Sequence, residues 1–313
     1  MTIARPIFLI GVPRSGTTIV FEALAMHEDL GWWSNYSSRF PKLPILAAFS
    51  RIYDIPMLQS ILRGEKRQCW QGNSRLNRFL PRPDECYEIW ELCCGNKFSW
   101  DYLIGAKASL EERRKLWNAV RLLLRFQGRS RFVAKITGPP RIGYLTSVFS
   151  DAIFVHVVRD GRAVVNSLLN VDFWIEGGGY DRPWWRNGLQ EGWETEWKSF
   201  DSSPISLAAL QWRTIMEVTD WERRRISSNQ YFEVRYEDYV GDPVGVMAQI
   251  LKFCELAPSY LVSNYVGKAN RYANMNQKYL QTFSAKEIDV LNQIMCEWLQ
   301  RFGYSTRVPK RAD

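Results

Sequence analysis

Histidine is scarce in this chain: 313 residues hold two, His27 and His156. The six cysteines, Cys69, Cys86, Cys93, Cys94, Cys254 and Cys296, include no C-x-x-C pair. These shortages leave no zinc spacing and no thiol redox motif, so no metal site is expected and the cysteines read as buried free thiols. No apolar run approaches the ~20 residues that span a bilayer, so no membrane span is expected. Met1 to Arg5 is too short for a signal peptide, and the expected setting is soluble, reducing and cytoplasmic. No repeat or low-complexity tract interrupts the sequence. Apolar residues make up 46% of it, which excludes a disordered chain. Negative charge is also in deficit, and the formal net charge of +8 favours an anionic ligand. Lysine and arginine are scattered and no nucleic-acid motif is present, so nucleic acid is not an expected partner.

What is present begins at Ile7-Phe8-Leu9-Ile10-Gly11-Val12-Pro13-Arg14-Ser15-Gly16-Thr17-Thr18. A short apolar strand ends in a glycine loop that leads into a helix pattern. The loop reads G-x-x-x-x-G-T-T, close to the G-x-x-x-x-G-K-[ST] loop that cradles phosphates. An NTPase needs the lysine, which reaches the β- and γ-phosphates. Here Thr17 takes that position and the cation sits at Arg14. Backbone N–H groups and a helix N-terminus remain to meet an anion. The pattern therefore points to an adenylate ligand whose leaving group is not a triphosphate.

Strands and helices alternate along the rest of the chain. Strands are expected at 5–11, 131–136, 152–158 and 231–235, with helices at about 17–27, 141–149 and 161–170. A helix follows Asp242-Pro243, with proline at its first position, and a last one starts at Ser284, boxed by Glu287. This alternation predicts an α/β fold with a mostly parallel, P-loop-like central sheet flanked by helices. One domain over 1–313 is expected, with tryptophan-rich helical insertions at about 32–125 and 171–225.

A second phosphate-binding candidate is Phe154-Val155-His156-Val157-Val158-Arg159-Asp160-Gly161-Arg162, continuing to Ser167. Open α/β sheets bind ligands at the C-terminal ends of their strands, where Arg159 falls. Ser167 lies two helical turns further on, and an arginine plus a hydroxyl can hold a phosphate.

Together the two segments resemble the phosphosulfate loop and the 3′-phosphate segment of sulfotransferases that use 3′-phosphoadenosine 5′-phosphosulfate (PAPS). Lys135-Ile136-Thr137-Gly138-Pro139-Pro140 through Arg162, Val234-Arg235-Tyr236-Glu237-Asp238, and the closing Arg301-Phe302-Gly303-Tyr304 are similar to the tyrosylprotein and bacterial branches. The resemblance covers about residues 5–30, 131–170 and 230–304. It implies PAPS as cofactor, without metal, and adenosine 3′,5′-bisphosphate (PAP) as product. It implies that Arg14, Ser15, Gly16, Thr17 and Thr18 wrap the 5′-phosphosulfate, that Arg159 and Ser167 bind the 3′-phosphate, and that Tyr236 lies near the adenine. The tryptophan common after the paired threonines is Ile19 here.

Sulfuryl transfer builds charge on the bridging oxygen of the leaving nucleotide and on the sulfuryl oxygens, which preorganised cations stabilise. Arg14 and Lys135 are the catalytic cations expected; by resemblance, Lys135 faces the bridging oxygen. An acceptor hydroxyl also needs a base. The small-molecule branch has histidine two residues after its lysine, where this chain has Thr137; the tyrosylprotein branch has a glutamate where this chain reads Trp32-Trp33-Ser34-Asn35-Tyr36.

The segment 82–94 supplies an alternative base. With Pro83 as the first helical residue and ~100° per residue, Cys86, Tyr87, Ile89, Trp90, Cys93 and Cys94 share an apolar face. Glu85 then borders that face, while Asp84, Glu88 and Glu91 point away, which makes Glu85 the base expected.

The acceptor is expected to be a hydroxyl on a carbohydrate or small molecule; the oligomeric state is left open. Trp174, Trp184, Trp185, Trp193 and Trp197, around Gly177-Gly178-Gly179, read equally as a hinged lid and as core. Two other readings remain at this stage: a nucleotide-dependent kinase, or a non-catalytic adenine-nucleotide-binding module.

Overall fold

The structure is a computed structural model that describes residues 3–55, 79–268 and 275–306. Cys69 and part of the first expected insertion lie outside the described residues. Five parallel strands form the central sheet: β1 (Ile7–Gly11), β2 (Leu30–Gly31), β3 (Arg131–Thr137), β4 (Ile153–Val158) and β5 (Tyr231–Arg235), in the order β2-β3-β1-β4-β5. Every residue of β1 and β4 is buried, as their unbroken apolar runs predict for strands covered on both faces.

Alternate side chains enter different cores. Ile7, Leu9, Val133, Val155 and Val157 pack with Val20, Phe21 and Leu24 of the Thr17–Leu24 helix and with Met247 and Ile250 of the Pro243–Phe253 helix. Phe8, Ile10, Phe132, Ala134, Ile136 and Phe154 instead meet Trp90, Phe98, Leu116 and Tyr144. A third core joins the Gly161–Leu168, Pro204–Arg223 and Ala285–Arg301 helices.

The helix signals at the chain's end are realised. Ser284 and Glu287 form the capping box, and Pro243 opens its helix behind Asp242, whose carboxylate accepts from the Gly245 N–H. The helix expected from Pro83 is not. It runs Tyr87–Cys94, because residues 82–84 are drawn alongside the chain at 33–35. Asn35 N–H donates to the Arg82 carbonyl at 3.1 Å and Asp84 N–H to the Trp33 carbonyl at 2.9 Å. Cys86, in the left-handed region at φ 52°, makes the turn into the helix.

The segment of the second expected insertion is helical between β4 and β5, and its 20-residue Pro204–Arg223 helix joins the core, with Trp212, Ile215 and Met216 all buried. Gly177 packs directly against Trp184, whose ring a Cβ there would overlap. Among the described residues, no helix is long and apolar enough to cross a membrane.

Candidate active site

The strand order reverses about β1, which lies between β3 and β4. The crevice at such a switch point lies beyond the C-terminal strand ends. The loop after β1, Lys135 and Thr137 of β3, Arg159 after β4 and Tyr236 after β5 all sit there. Their gathering follows from the topology.

The loop turns tightly, with Ser15 N–H donating to the Val12 carbonyl at 3.1 Å. Arg14 and Gly16 take positive φ, 73° and 92°. Gly16 is required twice over, because a Cβ would also strike the Tyr236 ring behind it. The Thr17–Leu24 helix starts at once, and its N-cap makes no side-chain hydrogen bond, which leaves the positive end of the helix facing the crevice. Ser15 Oγ is buried without a hydrogen-bond partner among the described residues. A phosphate-like group fits this loop: it would supply an acceptor to the orphaned hydroxyl and a charge to the helix end.

Arg14, Ser167 and Arg159 converge. Arg14 Nε donates to Ser167 Oγ at 2.9 Å. Arg159 donates through Nη1 to the Arg14 carbonyl at 2.9 Å and through Nε to Asn276 Oδ1 at 2.8 Å. Its guanidinium lies 4.5 Å from the centroid of the Tyr236 ring, and Glu237 in turn accepts from Asn276 and from the Tyr304 hydroxyl. Burial disfavours the charged form of Arg159 and lowers its pKa, against the pull of Tyr236 and Glu237. A second anionic group would offset that cost.

Across the crevice, Lys135 Nζ donates to Thr18 Oγ1 at 2.9 Å and pairs with Glu85 Oε1 at 3.0 Å. Thr137 Oγ1 donates to Glu85 Oε2 at 2.8 Å. A cavity of about 570 Å³ opens over these groups. Pro13, Arg14, Thr17 and Thr18 form one wall; Asp84, Glu85, Glu88 and Glu91 form another; Trp100, Phe173, Trp184 and Trp185 form a third.

A family model described as the sulfotransferase family matches residues 6–259. The chain belongs to the sulfotransferase family. Among its relatives, the omega-hydroxy-beta-dihydromenaquinone-9 sulfotransferase Stf3 of Mycobacterium tuberculosis is 23% identical over 98% of this chain and 77% of its own. The protein-tyrosine sulfotransferase of Drosophila melanogaster is 25% identical over 50% of this chain and 27% of its own. Sulfotransferase STF9 from Mycobacterium avium has the same fold, with a TM-score of 0.57 at 16% identity, covering 97% of this chain and 78% of that one. So has the sulfotransferase domain of the curacin biosynthetic pathway, with 0.52 at 12% identity, covering 97% and 99%.

In this sulfotransferase every site residue expected from sequence lies at the crevice, but the reason given for Glu85 does not survive. Glu85 precedes the helix, so no helical phase sets its direction. Glu88 and Glu91 stand opposite the buried Ile89, Trp90, Cys93 and Cys94, as the phase within the helix predicts, and the cavity opens on that polar side. Glu88 accepts from Ser38 Oγ at 2.6 Å. Burial raises the pKa of Asp84, which lines the same wall.

Neither histidine faces the crevice. His156 Nδ1 meets the Tyr231 hydroxyl at 2.6 Å inside the sheet, and burial lowers its pKa to about 3. His27 donates through Nε2 to the Ala257 carbonyl and accepts the Asp29 N–H at Nδ1. The aromatic segment divides: Trp174 is fully buried core, whereas Phe173, Trp184 and Trp185 face the cavity.

Sequence reasoning missed two polar residues. Thr137 was treated only as a missing histidine, although its spacing from Lys135 places both on one face of a strand. Asn276 carries no sequence signal, because its role depends on the chain folding back to Arg159.

Proposed function

We propose that this sulfotransferase, acting as one domain over 1–313, moves a sulfuryl group from PAPS to an acceptor hydroxyl. The observation that supports this most is Lys135, which joins the threonine of the phosphate-type loop to a carboxylate across the cavity. When bound, PAPS supplies the sulfuryl group and leaves as PAP. Arg14, the hydroxyls of Ser15, Thr17 and Thr18 and the helix end hold the 5′ side; Arg159 and Ser167 hold the 3′-phosphate; Tyr236 backs the loop beside the nucleotide. Lys135 and Arg14 stabilise charge on the departing oxygen. Glu85 takes the acceptor proton as the bond from sulfur to the acceptor oxygen forms and the bond from sulfur to the bridging oxygen breaks.

The acceptor is a carbohydrate or small-molecule alcohol. The aromatic wall suits an apolar body or a sugar face, and the name of the Stf3 relative describes a hydroxyl on a large apolar molecule. The buried free thiols Cys86, Cys93, Cys94 and Cys254 suit a reducing cytoplasm.

Calorimetry tests the donor reading. PAP is expected to bind without magnesium and at least ~10-fold more tightly than ATP, the 3′-phosphate adding one charge-assisted contact. Equal affinity for ATP, or a strict need for magnesium, would overturn it and favour a kinase. A PAP-binding protein that sulfates no alcohol or glycan in a screen with ³⁵S-labelled PAPS would instead be a binding module.

A further inference from the structure

Glu85 is held by two residues of one strand. Lys135 and Thr137 are two positions apart on β3, and the pleat sends both side chains to the same face. The ammonium of Lys135 takes Oε1 of Glu85 and the hydroxyl of Thr137 takes Oε2. Thr137 is itself fixed, since its carbonyl accepts from the Tyr87 hydroxyl at 2.7 Å. Tyr87 is the first residue of the helix that follows Glu85, so a loop is closed: strand to carboxylate, carboxylate to helix, helix back to strand. Glu85 needs such fixing. It sits before a left-handed residue, outside any helix, where no regular backbone limits its rotamer.

We infer that Thr137 is a positioning residue for the transfer step, through Glu85. The inference rests on the reading of Glu85 as the base. Lys135 alone would draw the carboxylate toward the donor loop and turn the base from the acceptor. The hydroxyl of Thr137 holds the second oxygen against that pull. The carboxylate thus stays over the cavity, ready to take the acceptor proton as sulfur passes from the bridging oxygen to the acceptor oxygen. A threonine here holds the base in place from the position where the small-molecule branch carries its own.

The test uses the full-length protein, ³⁵S-labelled PAPS and single-turnover transfer to water, so no acceptor need be known. Thr137→Val keeps the shape and removes the hydroxyl; Thr137→Ser keeps the hydroxyl. Thr137→Val is expected to slow transfer ~10–100-fold, as a small misplacement of a reacting group does, and Thr137→Ser to restore the rate. PAP affinity and melting temperature should not move. In a Glu85→Gln background the same Thr137→Val change should cost nothing, because the two residues act as one unit. Equal costs in both backgrounds, or a Thr137→Val rate matching the parent, would overturn the inference and leave Glu85 as base untouched. A Glu85→Gln rate matching the parent would instead remove the base reading, and this inference with it. Should Thr137→Val fold poorly, Thr137→Ala paired with Thr137→Ser carries the same comparison.

Discussion

Arg159 donates to the carbonyl of Arg14, so the second phosphate-type segment holds the first by its backbone. One bond thereby ties together two loops 145 positions apart in sequence. Preorganisation of this kind limits the cost of binding an anionic ligand.

The two cations should nevertheless fail differently. Arg159→Ala removes a remote handle and is expected to weaken PAP binding ~10–100-fold, the worth of one charge-assisted contact, with a smaller effect on the bound rate. Lys135→Ala should lower the single-turnover rate while leaving PAP affinity closer to intact, because its charge matters most as the bridging oxygen departs. Calorimetry alongside rapid quench separates the two; the same balance of losses in both variants would refute the assignment.

Glu85→Gln keeps the shape and cannot accept a proton, so turnover should fall ~10²–10⁴-fold with PAP binding unchanged. Glu88 and Glu91 line the cavity, and among the described residues Lys135 pairs with Glu85. Their glutamine variants are expected to alter acceptor KM and to spare transfer to water. A loss of transfer to water in Glu88→Gln but not in Glu85→Gln would move the base.

Gly16→Ala should be severe. The residue has φ 92° and its Cβ would enter the Tyr236 ring, so both backbone and packing oppose it. A destabilisation of ~1–3 kcal/mol is expected from the backbone strain alone, read as a lower melting temperature. Loss of PAP binding should accompany it, since the loop cannot keep its turn.

How much of this site the sequence disclosed depends on how local each cause is. The loop after β1 was legible because a buried strand, a glycine turn and a helix start lie within about a dozen consecutive residues. The capping box at Ser284 was legible for the same reason. Helical phase holds within Tyr87–Cys94 but does not reach Glu85: the pairing of residues 82–84 with 33–35 delays the helix to Tyr87, and periodicity within 82–94 holds no trace of that partner. The glycine run at 177–179 left lid and core equally open, because sequence does not show that the missing side chain of Gly177 makes room for Trp184. The depth at which the Pro204–Arg223 helix is buried was not legible, because that burial depends on two distant helices.

His156 gives a pH prediction distinct from catalysis. Its pKa is about 3 in the folded protein against an ordinary 6.5, through burial first and then Arg301 and Arg223. The unfolded chain therefore gains a proton that the folded chain refuses. Stability should be complete above about pH 6.5 and decline as the pH falls from there toward 3. Urea titrations across that range should show His156→Gln with a shallower decline. An identical decline in both proteins would place the acid sensitivity elsewhere.

The two-residue step from Lys135 to Thr137 has a consequence for how acceptor preference could diverge. On the proposed roles, both ends of the reaction hang from one strand: the cation for the departing oxygen and the hydroxyl that steadies the base are separated by a single pleat, ~6.6 Å at ~3.3 Å per residue. That spacing belongs to the sheet and is indifferent to whatever Trp100, Phe173 and Trp184 come to hold. The aromatic wall can therefore be rebuilt for another acceptor without re-registering the chemistry beneath it.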